Sequence, residues 1–560
     1  MKKLLRPAVA LLAIVIINLA AQSFYFRLDL TADRRYTLST VTRQLLDTIP
    51  SPLYIKTYLG GDIPLDFSRL RLNLNELLEE YRVGAAYQIE VIEEDPHGGS
   101  KPQRQKELQA SLMRQGIRPV NVQARDGQGG YTEKLVFPAI TLAYRDRTLS
   151  VNLYQENVMR SVTQNVDQAI AELEYQLTAA IHDILLPQKP RAAMLHGHGE
   201  LDAADVADFE QTLLRHALVS HLPAPTRIGD LDPFRFVIIA NPQKAFREDE
   251  KLVLDQYLMQ GGRILMMVNP VHTAVDSLQK AGQTLAYPLE LNLEDQLFRY
   301  GLRVKNVLVQ DMQCALVPIN TALAGQPARF TPMPWIYFPL LTPAPHSLIS
   351  RNLIPIYSRF PACIEPTGGA DSLQKQVFLA SSAHARVSPV PSIVSLSQIQ
   401  QNPLDIPMPL QYLPVGVAVQ GRFPSAFEHR PVRTISGGQD FRFRPRSQPT
   451  RLVLIADGRI AQNEQVRRNG TLQPLPLGFD KYTQQTFGNK ALLENLSLYL
   501  LGQDQLLSLR GRTIKPRLLD MKNVHEQRTT IQLANILLPI LLLLAVGGAW
   551  ALTRRYRYGR

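Results

Sequence analysis

Apolar residues in this chain follow two rhythms, and between Arg191 and Pro270 these alternate cleanly. Arg191-Ala-Ala-Met-Leu195, Phe236-Val-Ile-Ile-Ala240 and Arg263-Ile-Leu-Met-Met-Val268 are short apolar runs without polar alternation, the pattern of strands covered on both faces. After Asp202, a candidate helix cap, Val206, Phe209 and Leu213 recur at helical spacing. Val253, Leu254, Tyr257 and Leu258 do the same between about Arg247 and Gln260, and Gly261-Gly262 supplies a left-handed stop. Strands alternating with helices of this length predict a parallel sheet with right-handed crossovers. Arg451–Ala456 and a helix from Lys490 to Leu501 return to the same pattern and complete that sheet. The loops His196–Glu200, Asn241–Gln243, Asn269–Pro270 and Asp457–Gly458 leave the carboxyl ends of strands, where open α/β sheets usually bind ligands.

The remaining stretches are less regular. Before residue 187 the pattern predicts helices at Thr37–Ile49, Leu70–Arg82, Gln103–Gln115 and Asp167–Leu185. Strands are expected at Leu53–Tyr58, Tyr87–Ile92 and Val120–Ala124, with a terminal hairpin about Arg145-Asp-Arg147. This order is similar to a thioredoxin-like domain, with Phe137-Pro138 where that fold often places a cis-proline; no cysteine precedes residue 314, so thiol redox chemistry is excluded there. Leu293–Tyr300 reads as a helix and Val304–Val309 as a strand. Prolines then crowd residues 331–450, where Gln376–Ala380 and Val415–Val419 remain strand-like and elaborate one edge of the sheet. The chain thus divides into an anchor (1–27), a thioredoxin-like α/β domain (28–190) and a parallel α/β domain (191–330, completed by 451–510). A Pro-rich insertion (331–450), a basic juxtamembrane segment (511–530) and a C-terminal transmembrane helix with a basic tail (531–560) make up the rest.

Two stretches are long enough to cross a bilayer. Ala8–Phe26 is uncharged, follows three cations and ends in Phe24-Tyr25-Phe26; a retained anchor is expected over a cleaved signal peptide, because no small-x-small site follows. Ile531–Leu552 is likewise uncharged, and its Asn535, Pro539, Gly547 and Gly548 are candidates for packing against neighbouring membrane helices. The terminal cations place both ends in the cytoplasm and the body outside it, although Arg27, Arg34, Arg35 and Arg528 weaken that bias.

The net charge of +12 suggests nucleic acid until it is located. Lys2, Lys3, Arg6, Arg554, Arg555, Arg557 and Arg560 flank the two spans, and six basic residues face two acidic ones between Arg510 and Arg528. The body is nearly neutral, so the basicity belongs to membrane surfaces and no nucleic-acid partner is expected. Cys314 and Cys363 stand far apart, compatible with one disulfide or with two buried thiols.

His196-Gly197-His198-Gly199-Glu200 is the sharpest polar constellation. Two imidazoles and a carboxylate can ligate zinc or transfer protons, but alternating residues of an extended loop need not converge, and a Gly-rich turn that bonds its own backbone is the plainer reading. The fold also resembles the class I glutamine-amidotransferase-like kind, whose enzymes need a nucleophile on a strand-to-helix elbow. Here the strands end in His-Gly, Asn-Pro, Asn-Pro and Asp-Gly, and no GxxxxGK[ST] phosphate loop occurs. The expectation is a catalytically empty binding scaffold without cofactor or metal. Its candidate contacts are His196, Gly197, His198, Gly199, Glu200, Asn241, Asn269 and Asp457.

Several stretches together resemble the gliding-motility auxiliary proteins of ABC transporters, the GldG family. They are Asp29–Ser39, His196–Glu200, Phe236–Pro242, Leu254–Gly262, Val309–Cys314, Pro476–Asp480, Thr486–Lys490, Arg517–Asp520 and the last span. The resemblance implies a bacterial inner-membrane protein with a periplasmic body and no catalytic residues, working with a multi-span permease and a separate ATPase. It also implies a protein-interaction role, with envelope proteins as further partners. The alternatives from other classes are a membrane-anchored hydrolase using the His196–Glu200 loop and a purely structural envelope tether.

Overall fold

The computed structural model describes residues 37–510, apart from 87, 99–101, 126–130, 155, 157–160, 323–325, 328, 369–372, 401–406 and 469, together with 527–559. The expected span at Ala8–Phe26 and the stretches Asp29–Tyr36 and Arg517–Asp520 lie outside these residues. The chain forms two compact units, Met1–Arg512 and Thr513–Arg560.

The first unit opens with helix α1 (Thr40–Leu46), whose cap Ser39 accepts a hydrogen bond from the Thr42 amide. Strand β1 (Leu53–Thr57), helix α2 (Leu65–Gly84), strand β2 (Ile89–Glu93) and helix α3 (Pro102–Arg114) follow. Among the described residues, strands β3 (Val120–Arg125) and β4 (Tyr131–Val136) pair only with each other. Strands β5 (Ala139–Tyr144) and β6 (Arg147–Asn152) form the expected hairpin, in a four-stranded sheet of order β2-β1-β5-β6. Within it β1 and β2 run parallel, and the other pairs antiparallel. Phe67, Leu70, Leu74, Leu78 and Tyr81 put one face of α2 into this core. The Phe137–Pro138 peptide is trans; among the described residues the cis bond is Val390–Pro391.

Helix α4 (Val162–Leu185) starts at a capping box, Ser161 with Gln164, and joins two cores. Val166, Leu173, Leu177 and Ile181 pack on the first sheet, while Tyr175 and Ala179 pack on the second. That second sheet begins with β7 (Arg191–His196), helix α5 (Ala207–His216), β8 (Leu218–Pro223), β9 (Phe236–Ala240), helix α6 (Glu248–Met259) and β10 (Arg263–Met267). Asp202 caps the turn before α5, accepting from the Asp205 amide, and the helix itself starts five residues later. Later come β11 (Cys314–Asn320), β12 (Phe330–Pro343), β13 (Leu373–Ala380), β14 (Pro414–Gly421), β15 (Thr450–Ile455), helix α7 (Asn489–Leu501) and helix α8 (Asp504–Arg510).

The strand order is β11-β12-β13-β14-β15-β10-β9-β7-β8, with Ile356–Tyr357 paired to β12. Strands β8, β7, β9, β10 and β15 are mutually parallel, and the neighbours from β14 outward are antiparallel. The expected parallel sheet is therefore mixed, because the Pro-rich region contributes strands that run antiparallel to their neighbours. Apolar runs are sorted by pleat. Met194, Phe236, Ile238, Leu265, Met267, Val453 and Ile455 pack on the face that carries α5, α7 and α8. Leu195, Val237, Ile239, Ile264, Met266, Leu452 and Leu454 pack on the α6 face. The expected strand Val304–Val309 divides into Leu302–Val304 and Val307–Asp311, which pair with different partners.

The second unit contains helix α9 (Arg528–Tyr558), with Pro539 inside and apolar side chains exposed throughout. Its stretch Gln532–Arg557 is long and apolar enough to cross a membrane. At 1.5 Å per residue it spans about 39 Å, against a hydrocarbon core of about 30 Å.

Candidate functional site

The candidate site is the carboxyl edge of the parallel strands. Strand β7 ends at His196, and Gly199 then takes φ +75°, where a Cβ would also press on the Gln243 side chain at 3.2 Å. The tight turn folds Glu200 back on its own loop. Its Oε2 accepts from the amides of Gly197 (2.9 Å) and His198 (2.7 Å), and its Oε1 faces His198 Nδ1 at 3.2 Å. Nε2 of the same ring faces Glu250 Oε2 at 3.0 Å, and the ring stacks on Phe246 at 3.8 Å. Side-chain exposures of 5%, 1% and 4% for His198, Glu200 and Glu250 make this an internal triad.

Burial disfavours the imidazolium, but the hydrogen bonds and charges of Glu200 and Glu250 outweigh it and hold the His198 pKa above the ordinary value. Burial would likewise raise Glu200, yet His198 and the two amides keep it lowered. Both ring nitrogens of His198 are occupied by carboxylates, which leaves neither to move a substrate proton. Among the described residues no group of three or more His, Cys, Asp or Glu is arranged to hold a metal.

The other loops interlock with this one. The His198 carbonyl accepts from the amides of Gln243 (2.6 Å) and Lys244 (2.9 Å). Asn241, at φ +58°, accepts from Asn269 Nδ2 at 3.5 Å, and Asn269 Oδ1 accepts from the Gly458 amide at 3.1 Å. Asp457 is fully buried: it accepts from Ser358 Oγ (2.7 Å) and from the amides of Arg359 (3.1 Å) and Arg459 (2.9 Å). Burial nevertheless pushes its pKa up, against those three bonds.

The four predicted loops therefore do meet, but His198, Glu200, Asn241, Asn269 and Asp457 point inward and serve one another. His196 stays partly exposed. Its Nε2 lies 2.7 Å from His221 Nδ1, with the ring centroids 5.0 Å apart and the planes 21° from parallel, and His221 Nε2 faces Glu210 Oε1 at 3.1 Å. Burial, then the neighbouring His221, lowers the His196 pKa. Sequence reading missed Phe246, Glu250, His221, Glu210 and Ser358. A hint existed in Glu250, three residues after Arg247, at the position from which a side chain reaches back to a helix start; it accepts from the Arg247 amide at 2.7 Å. Cys314 and Cys363 are free thiols, and burial pushes Cys314 up to about 12.

In the second unit, Asn535 and Gly548 are separated by about three and a half helical turns and so lie on roughly opposite sides of α9. The four candidate packing residues do not form one stripe.

The chain thus combines a mixed α/β body, whose carboxyl-edge loops bond one another, with an apolar helix of membrane-crossing length. Residues 189–496 match the family described as an ABC-type uncharacterized transport system, more than half of the chain, and the protein belongs to that family. This agrees with the resemblance to the gliding-motility ABC transporter auxiliary proteins. Residues 32–143 match a domain of unknown function, DUF7088. No curated protein matches the chain.

Among solved structures, the "mmIFT52 N-terminal domain" is 14% identical, with 55% of this chain and 96% of that one covered at a TM-score of 0.32. A putative ThuA-like protein from Parabacteroides merdae is 8% identical, with 56% and 91% covered at 0.25. The exo-β-1,4-mannosidase Op5Man5 from an Opitutaceae bacterium is 9% identical, with 77% and 51% covered at 0.19. Likeness this slight carries no functional argument.

Proposed function

We propose that the protein is a non-enzymatic auxiliary subunit of a bacterial inner-membrane ABC transport system, of the kind associated with gliding motility. One observation carries the reading: α9 is an apolar helix of membrane-crossing length whose apolar side chains are exposed, while in the body both ring nitrogens of His198 are taken by carboxylates. In this reading α9 docks on a multi-span permease, a separate ATPase subunit supplies the energy, and the body binds a partner or cargo, envelope proteins among them. Ala8–Phe26 is the second anchor, both termini are cytoplasmic, and the body is periplasmic.

The order β2-β1-β5-β6 supports a thioredoxin-like domain over residues 28–190, and the five parallel strands support an amidotransferase-like, catalytically empty domain over 191–330 and 451–510. Residues 331–450 are read as its insertion. With His198 and Glu200 turned inward, the part of the edge left for a partner is His196 with Gln243 and Lys244.

The test is co-purification with the permease in mild detergent, comparing Gly548→Leu with Asn535→Leu. Small residues permit close helix contact, so Gly548→Leu is expected to weaken association while Asn535→Leu spares it. The reverse result moves the docking surface to the opposite side of α9, and full association in both variants overturns helix docking.

A further inference from the structure

Among the described residues no strand pairs with the outer side of β2, and the residues on that edge specify what it can pair with. Strand β2 is terminal in the order β2-β1-β5-β6, and Glu90, Val91, Ile92 and Glu93 are all exposed. The ladder to β1 fixes which groups are already used. Leu53 donates to the Gln88 carbonyl, and the Glu94 amide donates to the Thr57 carbonyl. In a strand, alternate residues present both backbone groups to the same neighbour, so the even-numbered residues bond β1. Ile89, Val91 and Glu93 therefore turn their N–H and C=O groups outward, a ready template for another strand.

The side chains read as a palindrome. Glu90 and Ile92 lie on one face, and Val91 and Glu93 on the other, so each face carries one acid and one apolar group. Glu90, Glu93 and the following Glu94 make no ion pair among the described residues. In a second copy paired antiparallel, outward-facing residues oppose outward-facing ones. Val91 against Glu93 sets Glu90 against Glu94, which is unfavourable, and Val91 against Val91 leaves Glu90 and Glu93 facing isoleucines with no cation. Base–apolar–apolar–base is the complement, and it matches in either strand direction.

We propose that the β2 edge is a strand-addition site for an extended basic segment of a partner protein, with two apolar residues flanked by Lys or Arg. Backbone pairing supplies attachment, and the two acids supply selection. The site is independent of the docking helix and of the carboxyl edge of the large sheet.

The full chain in detergent tests this with a fluorescein-labelled peptide whose core is Lys-Val-Val-Lys. Anisotropy reads binding, and hydrogen exchange reads protection over residues 88–95. Binding is expected to protect this segment, to weaken steeply with salt, and to exceed that of a scrambled Val-Lys-Lys-Val core by about tenfold, the factor of roughly 1.4 kcal/mol. Val91→Pro removes an outward N–H while sparing the β1 ladder, so it should abolish binding with an unchanged melting curve. Glu90→Lys with Glu93→Lys should switch the preference to a Glu-Val-Val-Glu peptide. Equal binding of the scrambled core, binding that survives Val91→Pro, or no protection of residues 88–95 would overturn the proposal. Protection that rises with protein concentration alone would replace it with self-association.

Discussion

At the scale of single residues, the most informative group is His198, because its position reverses what a glycine-rich loop suggests. Loop side chains seldom carry packing, yet this imidazole separates two buried carboxylates and stacks on Phe246. His198→Ala leaves Glu200 and Glu250 facing each other without a cation, and breaking a buried pair in this way costs about 3–5 kcal/mol. His196→Ala should cost less than about 1 kcal/mol, as for an exposed contact. Chemical denaturation of both variants decides: equal, small losses would return the loop to a surface role. His216 gives the pH dependence. It sits between Asp183 (3.1 Å) and Glu494 (3.6 Å), and although burial opposes its charge these partners raise its pKa to about 9. A raised pKa means the folded state holds the proton more tightly, so the stabilisation is complete below about pH 6.5, the unfolded value. It is lost as pH climbs through about 9, and is on the order of 3 kcal/mol at most. Stability should fall between pH 7 and 10, and His216→Gln should flatten that fall; a parallel fall in the variant would assign it to other groups.

At the scale of elements, the ends of β9, β10 and β15 are held by Asn241, Asn269 and Gly458. A Cβ on Gly458 would sit 2.3 Å from Asn241 Oδ1 and 2.7 Å from its Cα, so backbone must move. Gly458→Ala should destabilise by about 1–3 kcal/mol, the usual cost of overpacking, and unchanged melting would show that the loops are looser than drawn. This edge also shows what the sequence could reveal. Phe236–Ala240 and Arg263–Met267 were legible because both sheet faces are covered, so the apolar run is uninterrupted. Strand β8 was not, since at the sheet border Leu218-Val-Ser-His-Leu-Pro223 mixes exposed and half-buried positions. The convergence of the four loops followed from strand order alone. Their inward direction did not, because it depends on Glu250, distant by 52 residues from His198, and on Ser358, 99 residues from Asp457. In the antiparallel half, Gln376–Ala380 and Val415–Val419 were legible as strands of one edge, whereas β11 and β12 were hidden by prolines, which weaken periodicity while tolerating strand edges and bulges. Bulges do interrupt β11 and β13.

At the scale of the whole molecule, the last prediction is the orientation across the membrane. Cations gather at the two extreme ends, before Ala8 and after Leu552, and cytoplasmic flanks carry such excess. Arg27, Arg34, Arg35 and the basic residues from Arg510 to Arg528 oppose it from the other side and are no fewer, so the argument rests on proximity to the spans. The proposed arrangement puts Arg560 in the cytoplasm and residues 37–510 outside it. Lys106→Cys, on an exposed position of α3, should then react with a membrane-impermeant maleimide in intact cells. The native thiols give little background: Cys363 is buried, and the raised pKa of Cys314 keeps it protonated and slow. A cysteine appended after Arg560 should react only once the cells are opened. Labelling of the appended cysteine in intact cells, with Lys106→Cys silent, would invert the orientation and put the body on the ATPase side. Labelling of both in intact cells would put the body and Arg560 on the same side and show that α9 does not cross.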